Sequence, residues 1–220
     1  MNPQKKPGRR RAPDYKPSGV DPRAVFINIP YDDDFEPLYL AFIAGLCGFG
    51  LTPRATLEIP GSQRRLDRIF RLIRTCRYSF HDISRVELDL NRPRTPRFNM
   101  PFELGLAVAW ARTADRPHGW VVFEAKRHRQ QKSLSDINGT EIYIHEARPV
   151  GVLRALTNAL EKSRHRPTVQ QLQGIYRDVR AAAVRIKRDL ATRSLYDTRP
   201  FRELVTLAQL SARRRVASLR

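Results

Sequence analysis

A chain of 220 residues with 41% hydrophobic content is long enough to bury a core of its own. Its charge is uneven: residues 1–23 carry 7 basic and 2 acidic groups, residues 24–146 carry 17 and 15, and residues 147–220 carry 17 and 5, for a formal net charge of +19. Composition therefore excludes a disordered chain and a disulfide scaffold, and charge alone predicts weak, salt-sensitive binding to polyanions.

Arg outnumbers Lys 34 to 7 throughout, so coding composition accounts for part of the basic excess. Cys47 and Cys76 lie among apolar residues and form no C-x-x-C pair, which predicts buried reduced thiols and a cytoplasmic setting. No apolar run precedes residue 24, so no signal peptide is expected. The apolar stretch 38–51 is too short and too broken by Gly to span a bilayer.

In chain order, residues 1–23 mix Pro, Gly, Lys and Arg without hydrophobic periodicity and read as a disordered basic tail. Residues 24–29 read as a buried first strand stopped by Pro30, with Tyr31-Asp32-Asp33-Asp34 as the loop beyond it. Residues 36–47 are apolar nearly all round, a buried helix stopped by Gly48-Phe49-Gly50. Residues 51–58 form a weaker strand. Ser62 caps the next helix, in which Leu66, Ile69, Phe70, Ile73 and Cys76 keep the helical period while Arg64, Arg65, Arg68, Arg71 and Arg74 take the wet face. Residues 78–83 form a third strand ending at His81-Asp82, and 84–98 a long polar loop. Residues 120–124 and 142–144 supply two more strands, with an Asn138-Gly139 turn between them and no clear helix.

This alternation predicts an α/β fold: a flavodoxin-like, doubly wound, mainly parallel five-stranded sheet in the order 2-1-3-4-5 over residues 24–147. A basic helical extension, residues 148–220, follows. In it Thr168 and Gln171 make a capping box. The helix they open carries Val169, Leu172, Tyr176, Val179, Ala183, Ile186 and Leu190 at alternating spacings of three and four. That seam either packs on the preceding helix or makes a homo-oligomer through residues 169–190.

The most informative stretch is Asn99-Met100-Pro101-Phe102-Glu103-Leu104-Gly105-Leu106-Ala107. From Phe102 to Ala111 every residue but Glu103 is apolar or Gly, so the helix should be buried on most of its circumference. Pro101 suits its first position, which puts Glu103 in the first turn, where the macrodipole favours an ionised carboxylate. Ligands of a doubly wound sheet sit beyond the carboxyl ends of its strands. Tyr31, Asp32, His81, Asp82 and Glu103 all fall there, which predicts one crevice in which Glu103 and Asp82 are the acids placed to act and Tyr31, Asp32, His81 and Asn99 the polar groups beside them.

Plainer readings stand beside these. Asp33 and Asp34 suit a solvated turn or a cap, His81 a structural side chain, Asp82-Ile83-Ser84 a turn, and Glu103 a helix start. Gly45 to Gly50 is no dinucleotide fingerprint, because it ends a helix; there is no P-loop and no zinc spacing, and no metal site is expected. The basic run 126–132 reads as a solvated edge.

Asp82-Ile83-Ser84 and Phe102-Glu103-Leu104-Gly105-Leu106-Ala107-Val108-Ala109 resemble the D-[LI]-[ST] and [FY]-E-L-G-x-A-x-A motifs of nucleoside 2-deoxyribosyltransferases, whose distant relatives are the TIR domains that cleave NAD. Residues 76–107 are also similar to a widespread bacterial family of uncharacterised proteins. The resemblance covers residues 24–147, and it implies that Glu103 attacks or stabilises an anomeric carbon while Asp82 holds the sugar or base. Asn28-Ile29-Pro30-Tyr31-Asp32 replaces the Gly-Ala-Pro start of the transferases. The TIR-like part also implies a role in bacterial defence.

The resulting expectation is an enzyme, an N-glycosidic hydrolase or transferase acting on a nucleoside, nucleotide or NAD-like substrate, with no cofactor. One alternative is a non-catalytic nucleotide-sensing module that signals through its helical end. Another is a basic nucleic-acid-associated protein, although no RNA- or DNA-reading motif is present.

Overall fold

Five successive residues of strand β1 (Asp21–Asn28), from Ala24 to Asn28, are buried, so the strand is covered on both faces as a central parallel strand must be. The computed structural model describes residues 19–58, 64–88 and 92–216. After β1 come α1 (Glu36–Gly48), β2 (Thr52–Arg54), α2 (Arg65–Thr75), β3 (Cys76–Asp82), α3 (Asn99–Thr113), β4 (Gly119–Glu124), a single turn α4 (Gln130–Ser133), β5 (Ile142–Ile144), α5 (Pro149–Ala159), α6 (Val169–Asp189) and α7 (Thr198–Val216). All strand pairs are parallel and the sheet order is β2-β1-β3-β4-β5. This is the flavodoxin-like, doubly wound arrangement that the alternation predicts, with further helices at the carboxyl end of the chain.

Boundaries shift where local chemistry was ambiguous. The first strand begins three residues earlier than expected, because Asp21 pairs with Cys76; residues 21–23 therefore belong to the sheet and not to a tail. The expected disorder of residues 1–18 and the expected Ser62 cap lie outside the described residues. The second strand is three residues long, and a 3-10 turn (Thr56–Glu58) takes the rest of the segment. Between β4 and β5 the chain makes only α4 and a further 3-10 turn.

Helices α2 and α3 cover one face of the sheet and α1 and α5 the other, with α6 and α7 packed outside α1. This extra layer explains why α1 is apolar all round: every residue from Leu38 to Gly48 is buried. Its glycines set the spacing, since a Cβ on Gly45 would lie 2.4 Å from Leu156 of α5 and one on Gly48 would lie 2.4 Å from Leu172 of α6. Gly50, at φ 74°, turns the chain out of the helix in the left-handed region that suits glycine.

The packing of the last helices follows from the same layering. The seam of α6 is consumed inside the chain: Leu172, Val179, Ala183 and Ile186 share one core with Phe42 of α1 and with Leu204 and Ala208 of α7. No continuous apolar stripe is left on α6 for a second copy. The same core continues past residue 147, so the helices of residues 148–216 pack directly on the α/β unit that they extend. On the opposite face, α3 buries only Met100, Glu103, Leu104 and Ala107. Phe98 and Phe102 are 68% and 55% exposed, and Leu66 and Phe70 of α2, expected inside, are exposed as well. Among the described residues nothing packs outside α2 and α3 as α6 and α7 do outside α1, which leaves these side chains exposed. Cys47 and Cys76 are free and buried, as expected.

Candidate active site

Glu103 is 3% exposed and lies on the inner side of α3, near the carboxyl end of the sheet. The helix begins at Asn99, so Pro101 is its third residue and Glu103 its fifth. Pro101 is tolerated there because the first turn has no intrahelical use for its missing N–H. The carboxylate is thus past the first turn, and the macrodipole does less for its charge than the sequence suggested. Burial instead raises its pKa, opposed by the Arg65 guanidinium, whose Nη2 stands 3.4 Å from Oε1. The Arg65 side chain is 54% exposed, so this single ion pair is loose and open to exchange with solvent or ligand.

Tyr31, from the loop after β1, joins this corner. Its hydroxyl shares a hydrogen bond with Thr56 and feels the charges of Glu103 and Arg65; burial pushes its pKa up to about 12, so it remains a phenol at neutral pH. The loop between α6 and α7 completes the wall: the Tyr196 ring packs 5.4 Å from that of Tyr31, and its hydroxyl donates to the Asp32 carbonyl at 2.6 Å.

The other predicted residues occupy the same rim but do not converge on Glu103. Asp32 caps the turn at Asp33–Phe35 by accepting from the Phe35 N–H at 2.9 Å, and it also binds Arg85 at 2.7 Å and Arg97 at 2.9 Å. It straps the long loop after β3 to the loop after β1. Asp33 and Asp34 are exposed. Asp82 follows Phe80 on the side of β3 that faces α1 and α5, whereas Glu103 comes from the helix on the other side. It is fully buried: Oδ1 accepts from the Ser84 N–H at 2.9 Å, and Oδ2 lies 2.9 Å from Nε2 of His145. Nδ1 of His145 accepts from the Ala147 N–H, so Nε2 carries the proton; the Ser84 hydroxyl, at 3.1 Å, is the acceptor in line with it. That imidazole is no base for Ser84, and Ser-His-Asp chemistry is excluded in this arrangement.

His81 points to the α3 side and is fully buried. Its Nδ1 is 2.9 Å from Asn28 Nδ2, which also donates to the Met100 carbonyl at 3.0 Å. Nδ1 therefore accepts, and Nε2 carries a proton with no acceptor among the described residues. Burial, with His118 nearby, lowers the His81 pKa to about 3, so the ring is neutral. Asn99 is exposed at the first position of α3.

Several rim residues escaped sequence reading. Arg85 and Arg97 lie in the long polar loop, of the sort that tends to be functional or mobile, but were not singled out in it, and Arg129, expected on a solvated edge, clamps the fully buried Glu124 and donates to the Ser84 carbonyl at 2.7 Å. Arg65 was assigned to the wet face of α2. One signal pointed to it: a cation in the first turn of a helix opposes the macrodipole and so calls for an anionic neighbour. Among the described residues no three His, Cys, Asp or Glu side chains form a metal-binding group, and no helix is long and apolar enough to cross a membrane.

No family model, curated protein or solved structure matches this chain. Its class is therefore set by the fold, a flavodoxin-like parallel α/β sheet with added helices, whose carboxyl-end rim, where such folds bind ligands, carries the buried carboxylates of Asp82, Glu103 and Glu124.

Proposed function

We propose that the chain cleaves or transfers the N-glycosidic bond of a nucleoside, nucleotide or NAD-like dinucleotide, with Glu103 as the catalytic carboxylate. The observation that carries this reading is a carboxylate held inside an otherwise apolar helix face, its pKa raised by burial and its one ion pair among the described residues a loose one. Buried carboxylates with perturbed pKa values concentrate where chemistry needs them. A carboxylate oxygen of Glu103 forms a bond to the anomeric carbon as the carbon–nitrogen bond breaks, and the electron pair leaves with the base. Water, or an acceptor nucleoside, then displaces Glu103. Arg65 sustains the ionised form before attack, and the Tyr31 phenol donates a hydrogen bond beside it.

A second reading has its own support. Asp32, one of the other acids expected to act, is committed to Arg85 and Arg97, and Asp82 is held through Oδ1 by the Ser84 N–H. A rim whose Glu103 carboxylate is loosely paired with Arg65 also suits a nucleotide sensor.

The experiment is Glu103→Gln, assayed by release of base or nicotinamide from a panel of nucleosides, nucleotides and NAD. Release should fall by orders of magnitude while ligand binding persists, since a transition-state contact is lost and little ground-state contact with it. Because burial raises the Glu103 pKa, its ionisation opposes folding at neutral pH. The variant should therefore be at least as stable as the parent there, and the advantage should vanish as the pH falls through the Glu103 pKa toward the ordinary carboxylate range. Equal release by both proteins would refute the role of Glu103; binding without release by the parent would favour the sensor.

A further inference from the structure

At the end of the molecule opposite Glu103, a pocket of about 450 Å³ opens between the first residues of β1 and β2, the last turn of α1, the loop between α5 and α6, and the last turns of α7. Its size is within the range of small-molecule sites. Cys47, Leu51, Ala212 and Val216 make an apolar floor. Burial raises the Cys47 pKa, so its sulfur stays an uncharged thiol and belongs to that floor. The carbonyls of Gly45, Leu46 and Cys47 already accept from Phe49, Leu51 and Gly50, so they are not spare acceptors for a ligand.

The polar groups have one sign. Arg23 and Arg213 are exposed at the pocket together with the His165 ring, and among the described residues no acidic side chain lines it. Neither guanidinium has an ion-pair partner among the described residues. Asp21 turns its carboxylate to the Arg23 backbone N–H at 2.9 Å and does not line the pocket. Two unspent guanidiniums above an apolar floor match a ligand with an anionic head and a short apolar body.

We propose that this pocket binds small acid-headed amphiphiles, of the kind represented by a medium-chain carboxylate, at a site separate from the Glu103 rim. The apolar body lies on the floor between α1 and α7 and the carboxylate meets Arg23 and Arg213. A ligand there touches the helices that enclose α1, so binding stabilises the fold by mass action.

The test titrates the full chain with octanoate, octan-1-ol, octylamine and inorganic phosphate, by calorimetry and by thermal unfolding. Octanoate should bind and raise the melting temperature. Octanol should bind about tenfold more weakly for want of charge-assisted hydrogen bonds, and octylamine and phosphate should bind less well still. Arg23→Glu with Arg213→Glu, two exposed changes that leave the core untouched, should abolish the preference for octanoate over octanol, whereas Glu103→Gln should leave octanoate binding unchanged. The proposal fails if octanoate does not bind, if phosphate or octanol binds as tightly as octanoate, or if the double variant binds octanoate like the parent.

Discussion

Burial acts in opposite directions on the two titratable side chains nearest the α3 end of the rim, lifting the Glu103 pKa and depressing that of His81. For His81 the consequence for stability is specific. Its folded pKa of about 3 lies below the ordinary 6.5, so the stability held in its neutral, buried form is complete above pH 6.5 and drains away as the pH falls toward 3. Within that window the loss approaches about 1.4 kcal/mol per pH unit for one proton. His81→Gln, which keeps an acceptor for Asn28, should unfold in urea with a shallower acid dependence than the parent. Parallel stability curves for the two proteins between pH 7 and pH 4 would mean that His81 titrates normally. At this scale the sequence told enough about Glu103, because one charge among apolar residues stands out by composition. It named Asp82 but not its surroundings, because His145, whose Nε2 stands 2.9 Å from it, arrives sixty-three residues later from across two strands.

Helix α3 illustrates how an element can be recognised correctly and misjudged in its surroundings. Its apolar composition resembled that of α1, yet α1 is enclosed on all sides and α3 on one. Composition reports what a helix tolerates, while burial depends on how many layers the topology stacks against it. The glycines separate the two situations. A Cβ on Gly105 would meet nothing within 4 Å, whereas one on Gly151, at the start of α5, would sit 1.9 Å from the His145 carbonyl oxygen. Gly105→Ala should therefore stabilise the chain by roughly 0.4–1 kcal/mol through the unfolded state. Gly151→Ala should destabilise it by about 1–3 kcal/mol or more, because the atom it meets is backbone and cannot swing aside. Chemical denaturation of both variants checks the pair, and a destabilising Gly105→Ala would reveal a close neighbour of that face in solution. Strand order and the alternation of elements were legible, since they follow from hydrophobic runs and turn residues. The pairing of Asp21–Arg23 with the sheet was not, because Pro22 and two charged residues look like tail.

Taken as a whole, the molecule has its densest apolar element in the first quarter of the chain and the last cover for that element at the other end. Leu172, Ile175 and Val179 of α6 and Phe201, Leu204 and Ala208 of α7 lie in the same core as Tyr39, Phe42 and Leu46. A chain ending at residue 160, which keeps the sheet and α5, should bind hydrophobic dye and lose its cooperative thermal transition. A sharp transition in that truncated chain would show the last two helices to be dispensable. The same connectivity governs how the protein is made. At a synthesis rate of about 5–20 residues per second, some ten to thirty seconds separate the completion of α1 from that of α7. Throughout that interval one of the greasiest helices in the chain hangs from the ribosome without the cover of α7, so nascent copies depend on whatever shields such surfaces until α7 is made.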